Sequence, residues 1–314
     1  MDHAFYFVIP EGPGLTARGK GTRPMIRGIC RWLERYGVQS GHLTVQALLD
    51  QGPPKQKNPR ALLLYNEARF ISERAVDTLR RVEAQLKNAG YALHHTADVG
   101  EILGDKERLN HALRPAGVPL PEIAKDASGA SAIFSNAAVG SHVETQVIAP
   151  GGVLDANRYN TRLINTNHHS CGTDYYVSLR THSFGKRVYR SWVRTRPVSE
   201  GDPSVHSGDT APDADVQRDL HQRLVIPNQK AIQDISDQVA SVLGPQIYAH
   251  DLLPCAETGQ LFMCETGFKI YDDRYRIQME PIHDAHPVAE MFTNRRFCSE
   301  AAKLIATEFI GIKV

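Results

Sequence analysis

The first hundred residues alternate between apolar runs and amphipathic stretches, a pattern typical of a parallel α/β unit. Residues 5–9 form an apolar run that ends at Pro10, which predicts a strand. Residues 25–36 place apolar side chains three and four positions apart, which predicts a helix. A buried strand, a long amphipathic helix and a short strand are predicted at residues 60–66, 72–89 and 91–95. Strand, helix and strand in this order build a parallel sheet that binds ligands at the carboxyl ends of its strands.

Beyond Gly104 the pattern of the chain changes from alternating strands and helices to a series of β segments. A helix is predicted at residues 105–113, and Gly117 with its neighbouring prolines prevents its continuation. Glycine-punctuated β segments follow at residues 132–136, 142–149, 159–166, 175–184 and 186–196. Helices at about residues 215–243 and 287–308 flank two further strands, at 247–253 and 260–267. We therefore expect an α/β and α+β chain with two domains, residues 1–103 and 104–314.

Charge and cysteine content narrow the class of partner. Lys and Arg total 36 against 35 Asp and Glu, so no excess charge favours nucleic acid or an anionic membrane surface. No run approaches the roughly 20 apolar residues that a membrane span needs, and the first residues lack the pattern of a signal peptide. The five cysteines form no CxxC pair. We expect a cytoplasmic protein that binds small molecules.

Residues 248–269 carry the most informative local pattern. Two apolar runs flank a turn near residues 257–259, which predicts a β-hairpin. A register symmetric about Thr258 places Asp251 directly opposite Glu265. Like charges in that arrangement are destabilising unless something compensates them, and Mg²⁺ is a natural compensating ion for carboxylate oxygens. A register slipped by one residue would instead place one carboxylate in solvent.

The same hairpin resembles the terminal metal hairpin of ATP-grasp enzymes, in the strings DLL and LFMCETG. The segment GDKERLNHALRPAGVPLPE is similar to the helix that opens the ATP-grasp domain. The segments NTRLINT and DYYVSLRTHSFGKRVYRSWVR resemble the hinge strand and the paired strands behind it. The resemblance covers roughly residues 61–275, in the family's order. It implies a small parallel α/β domain that precedes an ATP-grasp domain.

The resemblance also implies a set of site residues and an activity. It assigns the metal to Asp251 and Glu265, the nucleotide to Lys106, Arg162, Leu163, Ile164 and Arg180, and catalysis to Arg180, Arg194 and Lys269. With ATP and Mg²⁺ as cofactors, a substrate carboxylate would attack the γ-phosphate to give an acyl phosphate and ADP. An amine or similar nucleophile would then displace phosphate. Partners would be small carboxylates and amines, and a homodimer stays open.

Three positions depart from the family pattern. Gly267 stands where an asparagine usually follows the metal glutamate, so that a second metal would need Asp272 or Asp273. Ser135 stands where a second phosphate-binding lysine is expected, and Lys125, Arg162 or Lys269 would have to replace it. Ala249 stands where an arginine often precedes the metal aspartate. The alternative is therefore a degenerate ATP-grasp protein that binds nucleotide, a ligand or a partner without catalysis.

Three other segments offer weaker signals. The string NHHSCGTD, residues 167–174, contains His and Cys but lacks a fourth zinc ligand, so a polar loop near the nucleotide is expected there. Glycines and cations at residues 17–24 predict a nest for an anion. Asn66, Glu67 and Arg69 end a predicted strand and are candidate substrate contacts.

Overall fold

The computed structural model describes residues 2–10, 22–65, 73–129, 131–139, 145–206, 208–210, 213–269 and 294–314. Two α/β regions and one large antiparallel sheet follow each other along the chain. Within these residues, no helix is long and apolar enough to cross a membrane.

The N-terminal region is built on a four-stranded parallel sheet in the order β2-β1-β3-β4. Its strands are β1 (Ala4–Ile9), β2 (Gln39–Thr44), β3 (Pro59–Leu63) and β4 (Ala92–His94), and its helices are α1 (Thr22–Arg35), α2 (Val45–Gln51), α3 (Glu73–Asn88) and α4 (Ala97–Leu103). All six residues of β1 are buried because both faces of this central strand are covered. The predicted parallel sheet is confirmed.

The middle region starts with α5 (Lys106–Leu113) and contains a small antiparallel sheet. Asp105 caps α5, since its carboxylate accepts hydrogen bonds from the backbone of Glu107 at 2.9 Å and Arg108 at 3.0 Å. The small sheet has the order β6-β5-β7, with β5 (Ile133–Asn136), β6 (Gln146–Ile148) and β7 (Tyr159–Arg162). The predicted helix and three of the predicted β segments are thereby accounted for.

The large sheet has the order β10-β9-β11-β12, with β8 paired to β9. Its strands are β8 (Asn167–Ser170), β9 (Thr173–Phe184), β10 (Arg187–Pro197), β11 (Ile247–Pro254) and β12 (Leu261–Phe268), and the helices around it are α6 (Ala214–Leu220), α7 (Gln229–Leu243) and α8 (Asn294–Leu304). One face packs its apolar residues, such as Leu179, Leu252 and Met263, in the same core cluster as the buried stripe of α7. Because side chains alternate along a strand, the residues between them point to the other face.

Two predicted elements differ from the structure. The helix predicted at residues 215–243 is interrupted between α6 and α7, and the break includes Pro227, which has no backbone N–H to continue the helix. Residues 167–174 were expected to form a polar loop, but they form β8, a tight turn and the start of β9. Cys171 and Gly172 both have positive φ in that turn. Among the described residues β8 pairs with β9 alone, and Ser170 is the one buried residue of its four, so its side chains need not alternate between apolar and polar.

The parallel sheet and the large sheet share one apolar core, and His95 joins them by hydrogen bonds. Its ring Nδ1 lies 3.0 Å from the Leu63 carbonyl on β3, and Nε2 lies 3.1 Å from the Ile247 backbone nitrogen on β11. The ring also stacks on Phe268 with centroids 4.0 Å apart. The two sheets are therefore held in a fixed relation at the start of β11.

Candidate active site

The pairing of β11 with β12 places Asp251 directly opposite Glu265. Near the turn, Pro254 pairs with Leu261, a register that on its own would set Asp251 against Cys264. A β-bulge intervenes, with Cys264 as the extra residue, and it shifts the pairing by one position. The predicted opposition of the two carboxylates is confirmed, and the bulge is what produces it.

Two arginines from the neighbouring strands approach the carboxylate of Asp251. Arg180, which is paired with Asp251 across β9 and β11, brings Nε to 2.7 Å from Oδ1. Arg194 on β10 brings Nη2 to 3.0 Å from the same oxygen, while its Nε donates to Ser178 Oγ at 3.1 Å. The side chains of Arg180, Arg194 and Asp251 are 13%, 4% and 11% exposed. The site therefore contains a buried carboxylate held between two guanidinium groups.

Lys106 at the start of α5 belongs to the same charged region. Its ammonium donates to the Ala137 carbonyl at 3.1 Å, at the end of β5. Burial raises the pKa of the Cys264 thiol far above its usual range, Asp251 and Glu265 raise it further, and Arg194 and Lys106 act in the opposite direction. Both carboxylates and both cations therefore lie within electrostatic range of the thiol of Cys264, a half-buried residue.

Tyr159 on β7 brings the small sheet toward this region. Its hydroxyl accepts a hydrogen bond from Asn110 Nδ2 of α5 at 2.9 Å. Burial raises the pKa of Tyr159 to about 12, the Asn110 hydrogen bond opposes this, and Cys264 adds to it. The small sheet and α5 therefore meet at Tyr159, within electrostatic range of Cys264 in the bulge of β12.

The residues expected to bind adenine lie where the small sheet passes into the large one. Leu163 and Ile164 are half-buried between β7 and β8, and the Leu163 backbone nitrogen donates to the Ala132 carbonyl at 2.9 Å. The Arg162 guanidinium lies against Gly129, where a Cβ atom would come within 3.1 Å of Nη1. Lys269 is half-buried directly after β12. Their roles toward a nucleotide stay predictions.

The donor atoms of the acidic pair fit a hard divalent cation. Carboxylate oxygens are ligands that Mg²⁺ prefers, and it commonly takes only one or two from the protein. The two arginines share Oδ1 of Asp251, so Oδ2 and the Glu265 carboxylate are the oxygens that could face such an ion. Among the described residues, no cluster of three or more His, Cys, Asp and Glu is placed to hold a metal. A cation here would be held by two carboxylates.

The zinc alternative at residues 167–174 gains no support from the side chains there. His168 Nε2 lies 3.0 Å from the Pro254 carbonyl, and His169 Nδ1 lies 2.8 Å from Asp174 Oδ1. The remaining sequence candidates fall outside the described residues: Asn66, Glu67, Arg69, Asp272, Asp273 and most of the glycine-rich segment at 17–24.

Arg158 is a residue of this region that the sequence did not single out. Its Nε donates to the buried Ser135 hydroxyl at 2.9 Å, at the position where the ATP-grasp resemblance expects a lysine. Lys125, one of the expected substitutes, is exposed in the loop before β5. In the sequence, Arg158 is marked only as a charged residue directly before a predicted strand, and such residues are too common to indicate a functional site.

Comparison with solved structures identifies the fold. No family model and no curated protein matches the sequence. The ATP-grasp ligase PsnB, complexed with a phosphomimetic variant of its minimal precursor, Mg and ADP, aligns over 95% of this chain and 99% of its own. Its TM-score is 0.53 at 10% identity. D-alanine–D-alanine ligase from Bacillus anthracis aligns over 96% of this chain and 99% of its own, with a TM-score of 0.51 at 11% identity. The chain therefore has the ATP-grasp fold.

Proposed function

We propose that this protein is an ATP-dependent ligase that activates a carboxylate as an acyl phosphate and joins it to an amine or similar nucleophile. The observation that carries the proposal is the direct opposition of Asp251 and Glu265 beside buried arginines. PsnB, one of the proteins that share the fold, has been captured with Mg and ADP and also with AMPPNP. The domains would be residues 1–103 and 104–314.

Asp251 and Glu265 would hold Mg²⁺, which would neutralise charge on the phosphates when bound. Arg180 and Arg194 would face the transferring phosphoryl group, because a planar guanidinium matches paired phosphate oxygens. Lys106 would add positive charge from the start of α5. Phosphoryl transfer depends mainly on positioning and charge stabilisation, and these buried cations are already positioned by the sheet.

The nucleotide would lie between the small sheet and β12. The backbone of Leu163 and Ile164 would bind the adenine, with Arg162 beside it and Lys269 at the opposite end of the site. All five cysteines are free, which agrees with a cytoplasmic location. The carboxylate and amine substrates are expected to be small molecules, and no nucleic acid is implied.

The test is carboxylate-dependent release of ADP, measured with a coupled assay over a panel of carboxylates and amines. Glu265→Gln should abolish the release while the protein stays folded, because it removes one of the two acidic ligands. Glu257→Gln is the matched control, since Glu257 lies on the turn of the same hairpin, where it accepts from Asn165 at 3.2 Å. Undiminished turnover in Glu265→Gln would refute the assignment.

A non-catalytic nucleotide-binding protein is the second candidate. Two observations favour it: Gly267 supplies no side-chain oxygen, and both arginines compete with a cation for Asp251. Thermal unfolding with ATP and Mg²⁺ separates the two candidates. A ligand-induced rise in the unfolding temperature without ADP release for any substrate pair would favour the binding protein.

A further inference from the structure

The end of β5 is contacted by two cations that reach it from different elements. Arg158 donates from Nε to Ser135 Oγ at 2.9 Å and from Nη2 to the Ser135 carbonyl at 3.4 Å. Lys106 donates to the Ala137 carbonyl at 3.1 Å. These backbone positions are two residues apart, or about 7 Å along an extended strand. The two cations can therefore contact different parts of one extended anionic ligand.

The turn that precedes β7 holds the backbone of Arg158 firmly. The Arg158 backbone nitrogen donates to the Asp155 carbonyl at 3.1 Å, and Asn160 Nδ2 donates to the carbonyls of both Asp155 at 2.9 Å and Arg158 at 3.0 Å. Asn157 donates from its backbone to Asp155 Oδ1 at 2.9 Å. This turn fixes the backbone of Arg158, and the hydrogen bonds to Ser135 orient its guanidinium before any ligand arrives, which lowers the entropic cost of binding.

The small size of Ser135 is what allows this arrangement. Ser135 is completely buried, and its hydroxyl accepts the Arg158 hydrogen bond. A long cationic side chain at this position would compete with the guanidinium for the same space and charge. The serine and the arginine therefore work as a pair, in which Ser135 on β5 orients a cation supplied by the turn before β7.

We propose that Arg158 binds the polyphosphate of the nucleotide together with Lys106. The inference rests on the proposed ATP-dependent function and names a residue for it. Two features support an anionic ligand with several phosphates: the two cations at one strand end, and the ordered turn that carries one of them. A guanidinium suits this ligand because it donates two parallel hydrogen bonds to phosphate oxygens.

The test is calorimetric titration of the full chain with ATP, ADP and AMP in the presence of Mg²⁺. Arg158→Ala should weaken ATP binding roughly 10- to 100-fold, the usual range for a lost charge-assisted hydrogen bond. The loss should grow from AMP to ATP, and Arg158→Lys should recover part of the affinity. Arg187→Ala, an exposed position at the start of β10, is the control and should bind as the wild type does.

Two outcomes would overturn the role of Arg158, and a third would overturn the proposed function as well. Equal ATP affinity in the folded Arg158→Ala variant and the wild type would overturn the role of Arg158 alone. An equal loss for AMP and ATP would also overturn it, because a purely structural residue would not distinguish the number of phosphates. If the wild type itself binds no ATP, the proposed function fails and this inference fails with it.

Discussion

Replacing Asp251 by asparagine should strongly destabilise the fold, although the side chain keeps its size. Asp251 neutralises Arg180 and Arg194, whose side chains are 13% and 4% exposed. In the variant both guanidinium groups stay in place and lose the carboxylate that lies 2.7 Å from Arg180 and 3.0 Å from Arg194. Removing one partner of a buried ion pair typically costs about 3–5 kcal/mol, and we expect a loss of unfolding free energy in that range.

Urea unfolding measured by tryptophan fluorescence is a suitable assay, because Trp192 is fully buried and pairs directly with Arg180 across β9 and β10. Asp234→Asn is the matched control. Asp234 forms an exposed pair with Lys230 on α7 at 2.6 Å, and such pairs contribute about 0.3–0.5 kcal/mol.

A second substitution separates the charge effect from other causes. Adding Arg194→Gln to Asp251→Asn removes one of the two stranded cations, so the double variant should regain part of the lost stability. If Asp251→Asn costs less than about 1 kcal/mol, as a surface pair does, the buried ion cluster described here is wrong.

Three further predictions follow from other parts of the structure. In the absence of nucleotide, Arg194→Gln should raise the affinity for Mn²⁺ roughly tenfold, because the substitution removes one cation that competes for Asp251. Electron paramagnetic resonance measures this affinity, and an unchanged value would contradict the prediction. Burial lowers the pKa of His94 to about 4, so the folded protein favours the neutral ring and its free energy of unfolding should fall by at most about 3 kcal/mol as pH drops from 6.5 toward 4. In urea titrations His94→Leu should reduce this decline, and an identical decline in the variant and the wild type would contradict the prediction. Gly100→Ala should cost about 1–3 kcal/mol, because the added Cβ would lie 2.0 Å from the Tyr65 hydroxyl; an unchanged urea midpoint would show that the contact relaxes freely.

The regular parts of the fold could be predicted from sequence because local patterns determine them. β1 and β3 are apolar runs, α3 has a helical apolar stripe, and Asp105 with Gly117 marks the limits of the segment containing α5. β2 was not predicted, because its sequence QSGHLT is mostly polar. The break before α7 was missed because the apolar spacing continues across Pro227. β8 was missed because a polar strand without alternation has the composition of a loop.

In the candidate site, too, local sequence predicts some features, and others depend on contacts between distant parts of the chain. Asp251 and Glu265 are opposed as predicted, but by way of a bulge at Cys264 that no symmetric hairpin register implies. The contacts of Arg180 and Arg194 with Asp251 depend on the order of three strands, which is non-local information. Arg158 meets Ser135 for the same reason, since pairing between β5 and β7 brings together residues 23 positions apart.

The proposed function places the metal–nucleotide site at the opposed carboxylates of β11 and β12. The most direct measurement is calorimetric titration with ATP, with and without Mg²⁺, of the wild type, Glu265→Gln and Glu257→Gln. We predict that Mg²⁺ strengthens ATP binding in the wild type and in Glu257→Gln, and that Glu265→Gln loses this Mg²⁺ dependence. Mg²⁺-dependent binding of the same strength in Glu265→Gln and the wild type would contradict the assignment of this site.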